Sequence, residues 1–214
     1  MIAAPVSVAV SPARVALAAG ETRELRIANS GSTPAVVSIG SAGYTLGLHG
    51  RLRIVAARPV LVVRPARVVV PAHGAATVAV TGRAAAPGDH PALVLLATER
   101  SQSDIAVRLR LGVVAIVRGV GPVVHRVVLD RLTVHGTLLS LWLRNRGNVV
   151  EPLRIVVRIG AAVLRDTRQL LPRSRGVSTL RVPRRLRGAA RARVTVGSGA
   201  GIVRRAFRIR LRAG

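Results

Sequence analysis

Alternation dominates the chain. Over 105–117, Ile105, Val107, Leu109, Leu111 and Val113 share one parity, and Arg108 and Arg110 take the other. Leu153, Ile155, Val157 and Ile159 likewise oppose Arg154 and Arg158, and Phe207, Ile209 and Leu211 oppose Arg208, Arg210 and Arg212. A period of two with one charged face is the pattern of a half-buried antiparallel strand. The runs are rich in Val and Ile and are cut by turn residues, as at Ser11-Pro12, Asn29-Ser30-Gly31, Pro71-Ala72-His73-Gly74, Pro87-Gly88-Asp89 and Gly197-Ser198-Gly199. No segment of helical length keeps a 3.6 period. The expectation is an all-β protein. Strands are predicted near 5–10, 14–18, 23–29, 34–44, 52–55, 59–64, 66–70, 75–81, 91–98 and 104–117, then near 123–134, 138–145, 152–159, 162–165, 176–182, 190–196 and 202–212. Seven or more short strands in roughly 100 residues read as an immunoglobulin-like sandwich. The 214 residues therefore divide into two tandem sandwiches, 1–118 and 119–214, with Gly119-Val120-Gly121-Pro122 breaking the chain between them.

The halves also echo one another. Strand, Asn29-Ser30-Gly31, Pro34, strand is followed later by strand, Asn145-Arg146-Gly147, Pro152, strand. Pro71, Gly74, Val80 and Gly88 are matched by Pro172, Gly176, Val182 and Gly188. The offset is 116 at the Asn and about 100 at the later markers, so the first half carries about 15 extra residues around 40–60, where an added strand or flap is expected.

These stretches resemble a known family. SPARVALAAGETRELRIANSGSTPAVVSI (11–39), ARPVLVVRPARVVVPAHGAATVAV (57–80) and APGDHPALVLLA (86–97) look like the N-terminal sandwich of PapD-like bacterial proteins, nearest to the peptidoglycan-binding domain of WxL-interacting surface proteins. LWLRNRGNVVEPLRIVV (141–157) and LLPRSRGVSTLRVP (170–183) are similar to the Ig-like domain that follows it. The shared features are turns and core positions, which speak to fold more than to function. Pilus chaperones share the first-domain fold. In that family an Arg near the first strand and a Lys on the last strand hold a subunit's C-terminal carboxylate. The resemblance puts Arg14 in the first role; the lysine is absent, and Arg110 is its nearest substitute.

Composition changes the picture mainly through charge. The formal net charge is +26, and all 34 basic residues are arginine. Exclusion of lysine suggests GC-rich codon usage, which alone would inflate arginine. Yet residues 1–118 hold 13 Arg against 5 acids, while 119–214 hold 21 against 3, an asymmetry uniform drift does not obviously produce. Arg184, Arg185, Arg187, Arg191, Arg193, Arg204, Arg208, Arg210 and Arg212 are the candidate polyanion- or partner-binding residues, with one parity of 202–212 presenting Arg to solvent. Tyr44, Trp142 and Phe207 are the only aromatics, which argues against base stacking on a sheet.

Catalytic chemistry is not foreseen. The eight acids are scattered without a general acid/base pair, and Asp89-His90 reads as a turn. Neither a metal-binding His spacing nor a nucleophile elbow occurs, cysteine is absent, and Gly197-Ser198-Gly199-Ala200-Gly201 reads as a hairpin, lacking the Lys-Ser/Thr of a phosphate loop. No metal and no cofactor is expected, and no apolar run approaches the ~18 residues of a spanning helix. The start, MIAAPVSVAV, does not read as a signal peptide. The expected function is a non-enzymatic cell-envelope or extracellular scaffold engaging a wall polymer or a surface or pilus-type protein. The alternatives are a chaperone-like subunit binder using its long strand 104–117, and a non-specific nucleic-acid binder.

Overall fold

The computed structural model describes residues 7–56, 60–84, 86–99, 109–183 and 186–211. Among these there is no helix. The strands are β1 (Val8–Ser11), β2 (Arg14–Ala18), β3 (Thr22–Asn29), β4 (Ala35–Leu46), β5 (Leu52–Val55), β6 (Leu61–Arg64), β7 (Arg67–Val70), β8 (Ala75–Gly82), β9 (Gly88–Thr98), β10 (Arg110–Gly119), β11 (Val127–His135), β12 (Leu138–Asn145), β13 (Glu151–Ile159), β14 (Ala162–Leu170), β15 (Arg175–Arg181), β16 (Gly188–Ser198) and β17 (Gly201–Leu211).

Two units result, one drawn from Met1–Tyr44 and Ile54–Gly121, the other from Thr45–Arg53 and Pro122–Gly214. In the first, β1-β3-β8-β6 faces β2-β10-β9-β4-β5, with β7 also on β4. In the second, β11-β12-β15 faces β14-β13-β16-β17. The alternating aliphatics meet between the sheets, as the period of two requires: Leu25, Ile27, Val80, Val94, Val113 and Val117 in the first, Leu141, Leu143, Leu153, Ile155, Val157 and Val194 in the second. Each such side chain contributes about 1.5–3 kcal/mol of burial. The fold is all-β, two tandem Ig-like sandwiches.

The repeated Asn-x-Gly turn is the same device in both units. Asn29 Nδ2 donates to Thr33 O (2.8 Å) and Pro71 O (3.1 Å), and its Oδ1 accepts Gly31 N (2.9 Å). Asn145 Nδ2 donates to Val149 O (2.7 Å) and Leu171 O (3.0 Å), and its Oδ1 accepts Gly147 N (2.8 Å). Each turn is closed from outside by a residue with left-handed backbone, His73 (φ 51) donating to Gly31 O and Arg173 (φ 54) to Gly147 O. Leu171, Arg173 and Ser174 thus stand where Pro71, His73 and Gly74 stand; the match inferred from Pro172 and Gly176 is off by one or two residues. The extra residues of the first half extend β4 and β5 as a hairpin. Its tip belongs to the second unit, where Leu48 O accepts Val177 N (2.7 Å) and His49 O accepts Arg168 Nη1 (2.8 Å).

Three local expectations are corrected. The strand foreseen at 123–134 starts only at Val127, because 122–126 bonds to the turn at 146–148 instead of a ladder: Val124 N donates to Asn148 Oδ1 and Arg146 N to Arg126 O (both 2.7 Å). Asp89-His90 is the start of β9, not a turn. Strand β14 runs to Leu170, not 165, its alternation carried by the exposed Arg165 and Thr167. Trp142, on the parity opposite to Leu139, Leu141 and Leu143, lies on the outer face of β11-β12-β15 beneath Arg131, whose guanidinium carbon is 4.3 Å from the ring centre. Arg131→Ala is expected to red-shift the emission of this sole tryptophan and to cost about 0.5–1 kcal/mol, as read by fluorescence and urea melts.

Candidate functional site

Two surfaces carry the candidate residues. The first is the edge of β10. Strand β9 covers β10 along its whole length, from Arg110 opposite Ala97 to Gly119 opposite Gly88. On the other side β2 pairs in parallel only from Val114, opposite Arg14, to Arg118, opposite Ala18. Val114 N donates to Ala13 O at 3.1 Å. Successive residues of a strand point their N–H and C=O groups to opposite sides, so Gly112 and Arg110 aim theirs along the same edge as Val114. There they find no partner among the described residues. Leu109 and Leu111 alternate with them and pack partly on the sandwich core. Residues 100–108, which include Ile105, Val107 and Arg108 at the start of the alternating run 104–117, lie outside the described residues.

Arg14 is exposed on β2 and acts electrostatically on Tyr44, whose hydroxyl is pushed up by burial and pulled back by the Arg14 charge. The register does not bring Arg14 and Arg110 together. Val114 stands across from Arg14, and Arg110 lies four residues earlier, about 13 Å along the strand. At the other end of β10, Arg118 grips the buried Asp89 with Nε–Oδ1 at 2.7 Å and Nη2–Oδ2 at 3.0 Å, which raises the guanidinium's affinity for its proton.

The second surface is the outer face of β14-β13-β16-β17. The register sets Arg193 opposite Arg158 and Arg191 opposite Arg208, with Arg210 two residues further along β17. Arg204, Arg154 and Arg165 lie on the same face, and all eight are exposed. Arg205 points the other way and donates from Nη1 to Leu129 O at 3.0 Å, beside the bulge of β11. Of the sequence candidates, Arg191, Arg193, Arg204, Arg208 and Arg210 share this face. Arg187 is exposed just before β16, and Arg184, Arg185 and Arg212 lie outside the described residues. The sequence list omitted Arg154, Arg158 and Arg165; the outward parity of 152–159 was visible, but which strands lie side by side was not. No carboxylate lies on this face among the described residues. Nor do three His, Asp or Glu side chains anywhere among them cluster as a metal site requires.

The sheet orders and registers invite comparison with solved structures. The class 5 fimbriae chaperone CfaA superposes with a TM-score of 0.65 at 10% identity, over 94% of this chain and 98% of that one. A chain of the chaperone–tip adhesin complex of CFA/I fimbriae biogenesis gives 0.64 at 11%, over 94% and 98%. A chain of the Salmonella enterica SafA pilin–SafB chaperone complex gives 0.55 at 16%, over 96% of both. The fold is PapD-like. Comparison with protein-family models and with curated protein sequences yields no match. The PapD-like likeness therefore rests on architecture that spans both sandwiches, and the finer likeness to WxL-interacting proteins finds no support in these superpositions.

Proposed function

We propose that this PapD-like chain is a chaperone-like binder of a pilus-type subunit in the cell envelope, acting by strand addition along β10. The observation that carries the reading is the edge at Arg110 and Gly112, which has no partner among the described residues, in a fold otherwise matched by fimbrial chaperones. An extended client segment laid against this edge would gain main-chain hydrogen bonds, while the alternating Leu109 and Leu111 supply apolar contacts. Arg14 is the cation available to a client carboxylate. It would act without Arg110, since Val114 occupies the position across from it. Engagement of a wall polymer, placed first on sequence grounds, is the less supported reading, because the superposed structures are a fimbrial chaperone and chains of chaperone–adhesin and pilin–chaperone complexes.

Gly112→Pro separates the edge from the fold. The substituted nitrogen faces the free edge, a Cβ at this position meets nothing within 4 Å, and proline is tolerated where a strand N–H has no ladder partner. The variant is expected to melt within about 1 kcal/mol of wild type while capture of a co-expressed pilin-type subunit falls about tenfold or more. In the wild-type complex the Arg110 and Gly112 amides should become protected from hydrogen exchange. A stable complex in which those amides still exchange freely would overturn the edge mechanism.

A further inference from the structure

We propose that the arginine face of β14-β13-β16-β17 binds a linear phosphate polymer along a staircase formed by Arg158, Arg193, Arg191, Arg208 and Arg210. The register builds this path. Arg158 and Arg193 are cross-strand partners, Arg193 and Arg191 are two residues apart on β16, Arg191 and Arg208 are partners again, and Arg210 follows on β17. Steps across strands are about 4.8 Å and steps along them about 6.7 Å, so five guanidiniums follow one another without a gap.

Two independent observations say that the matching negative charge is not supplied by the second unit. First, like charges directly opposite one another in a sheet are destabilising, and the face contains two such pairs. Second, each of the three acids of 119–214 is engaged elsewhere. Asp130 binds Arg144 (2.8 Å), Glu151 binds His125 (2.7 Å), and Asp166 accepts from Ser178 Oγ (2.5 Å). Phosphate suits the pairs better than carboxylate. A carboxylate's oxygens lie in one plane and match one guanidinium fork, whereas a tetrahedral phosphate offers oxygens to two forks on neighbouring strands. A polymer suits the path better than a bilayer surface. Among the described residues the face has no aromatic, and its exposed large aliphatics do not form a patch: Val163 stands opposite Arg158 at the start of the staircase, and Ile202 lies at the far end of β17, opposite Gly197. Phe207 is on the inward parity and Trp142 on the other sheet.

The test uses the full chain and two triple variants that remove equal charge from one face. Arg191→Gln, Arg193→Gln and Arg208→Gln break the staircase; Arg154→Gln, Arg165→Gln and Arg204→Gln leave it whole. The probe is long-chain inorganic polyphosphate, titrated at low and moderate salt, with phosphatidylglycerol/phosphatidylcholine vesicles as a parallel arm. The staircase triple is expected to lose about tenfold more polyphosphate affinity than the other, with a flatter salt dependence. It should melt no lower than wild type, because the Arg191–Arg208 and Arg158–Arg193 pairs are relieved. The single variants Arg191→Gln and Arg204→Gln repeat the comparison with the least disturbance and decide it should a triple melt early. Equal losses from both sets, failure of wild type to bind polyphosphate, or vesicle binding that tracks charge number alone would overturn the proposal.

Discussion

Asn145→Ala is expected to remove about 3 kcal/mol from the stability of the second sandwich, and Asn29→Ala a similar amount from the first. Both amides are nearly inaccessible, at 1% and 3% exposure. Each ties the start of its turn to carbonyls at its end and on a distant segment, Val149 and Leu171 in one case, Thr33 and Pro71 in the other. Truncation strands two buried carbonyls and one glycine N–H, and each unmet buried group costs about 1–3 kcal/mol, offset in part by relaxation. Asn145→Asp should be at least as damaging, because a carboxylate cannot donate to the two carbonyls. Trp142 lies in the second unit, so its fluorescence in a urea melt follows Asn145 variants, while circular dichroism follows both. Losses below about 1 kcal/mol would mean that water replaces the amide at these turns.

That the two turns were visible as a repeat shows what kind of information the chain carries locally. Asn and Gly are constrained by backbone geometry within a few residues, so Asn29-Ser30-Gly31 and Asn145-Arg146-Gly147 announce themselves. Likewise Leu153, Ile155 and Val157 announce a buried face because each needs only its own parity. Trp142 shows the limit. Its parity already opposed Leu139, Leu141 and Leu143, but what covers an outward tryptophan depends on Arg131, brought alongside by β11 with a bulge between Leu129 and Arg131. The start of β11 was misplaced for a related reason. Val123 and Val124 look like strand residues, yet their backbone is used by the turn around Asn148.

The candidate sites divide along the same line. That Arg208 and Arg210 face solvent follows from period two, but that Arg191 stands opposite Arg208 and Arg193 opposite Arg158 is a fact of register, set by turn lengths that composition does not reveal. Register also shows that Arg14 and Arg110 are not cross-strand partners, since Val114 stands across from Arg14. The free stretch of β10 was legible only as an unusually long alternating run. That β2 stops short of Arg110 depends on where β2 begins.

Glu151→Ala should be the most damaging single change to the second unit after the Asn145 variants, at about 3 kcal/mol. Glu151 is fully buried on β13, yet it was read as one of eight scattered acids. Its Oε1 meets His125 Nδ1 at 2.7 Å, and its Oε2 accepts Gly199 N at 2.9 Å. One carboxylate thereby ties the segment before β11 to β13 and to the β16–β17 hairpin. Gly199 is required for the fit, because a Cβ there would lie 2.6 Å from His125 Nδ1 and 3.2 Å from Glu151 Oε2. Removing one member of a buried pair leaves the other's polar groups unmet, which outweighs the modest net worth of the pair itself. Glu151→Gln keeps the volume and one acceptor but presents an amide N–H₂ to a donor, so it should recover only part of the loss. His125 is 40% exposed at its side chain, and water can serve it when Glu151 is gone. His125→Ala should therefore be as costly as Glu151→Ala only if the buried carboxylate depends chiefly on it. A double-mutant cycle over His125→Ala and Glu151→Ala, read by urea melts, is expected to give a coupling above about 1 kcal/mol. Additive costs would show instead that the Gly199 N–H and the packing around β13 hold Glu151 in place without the histidine.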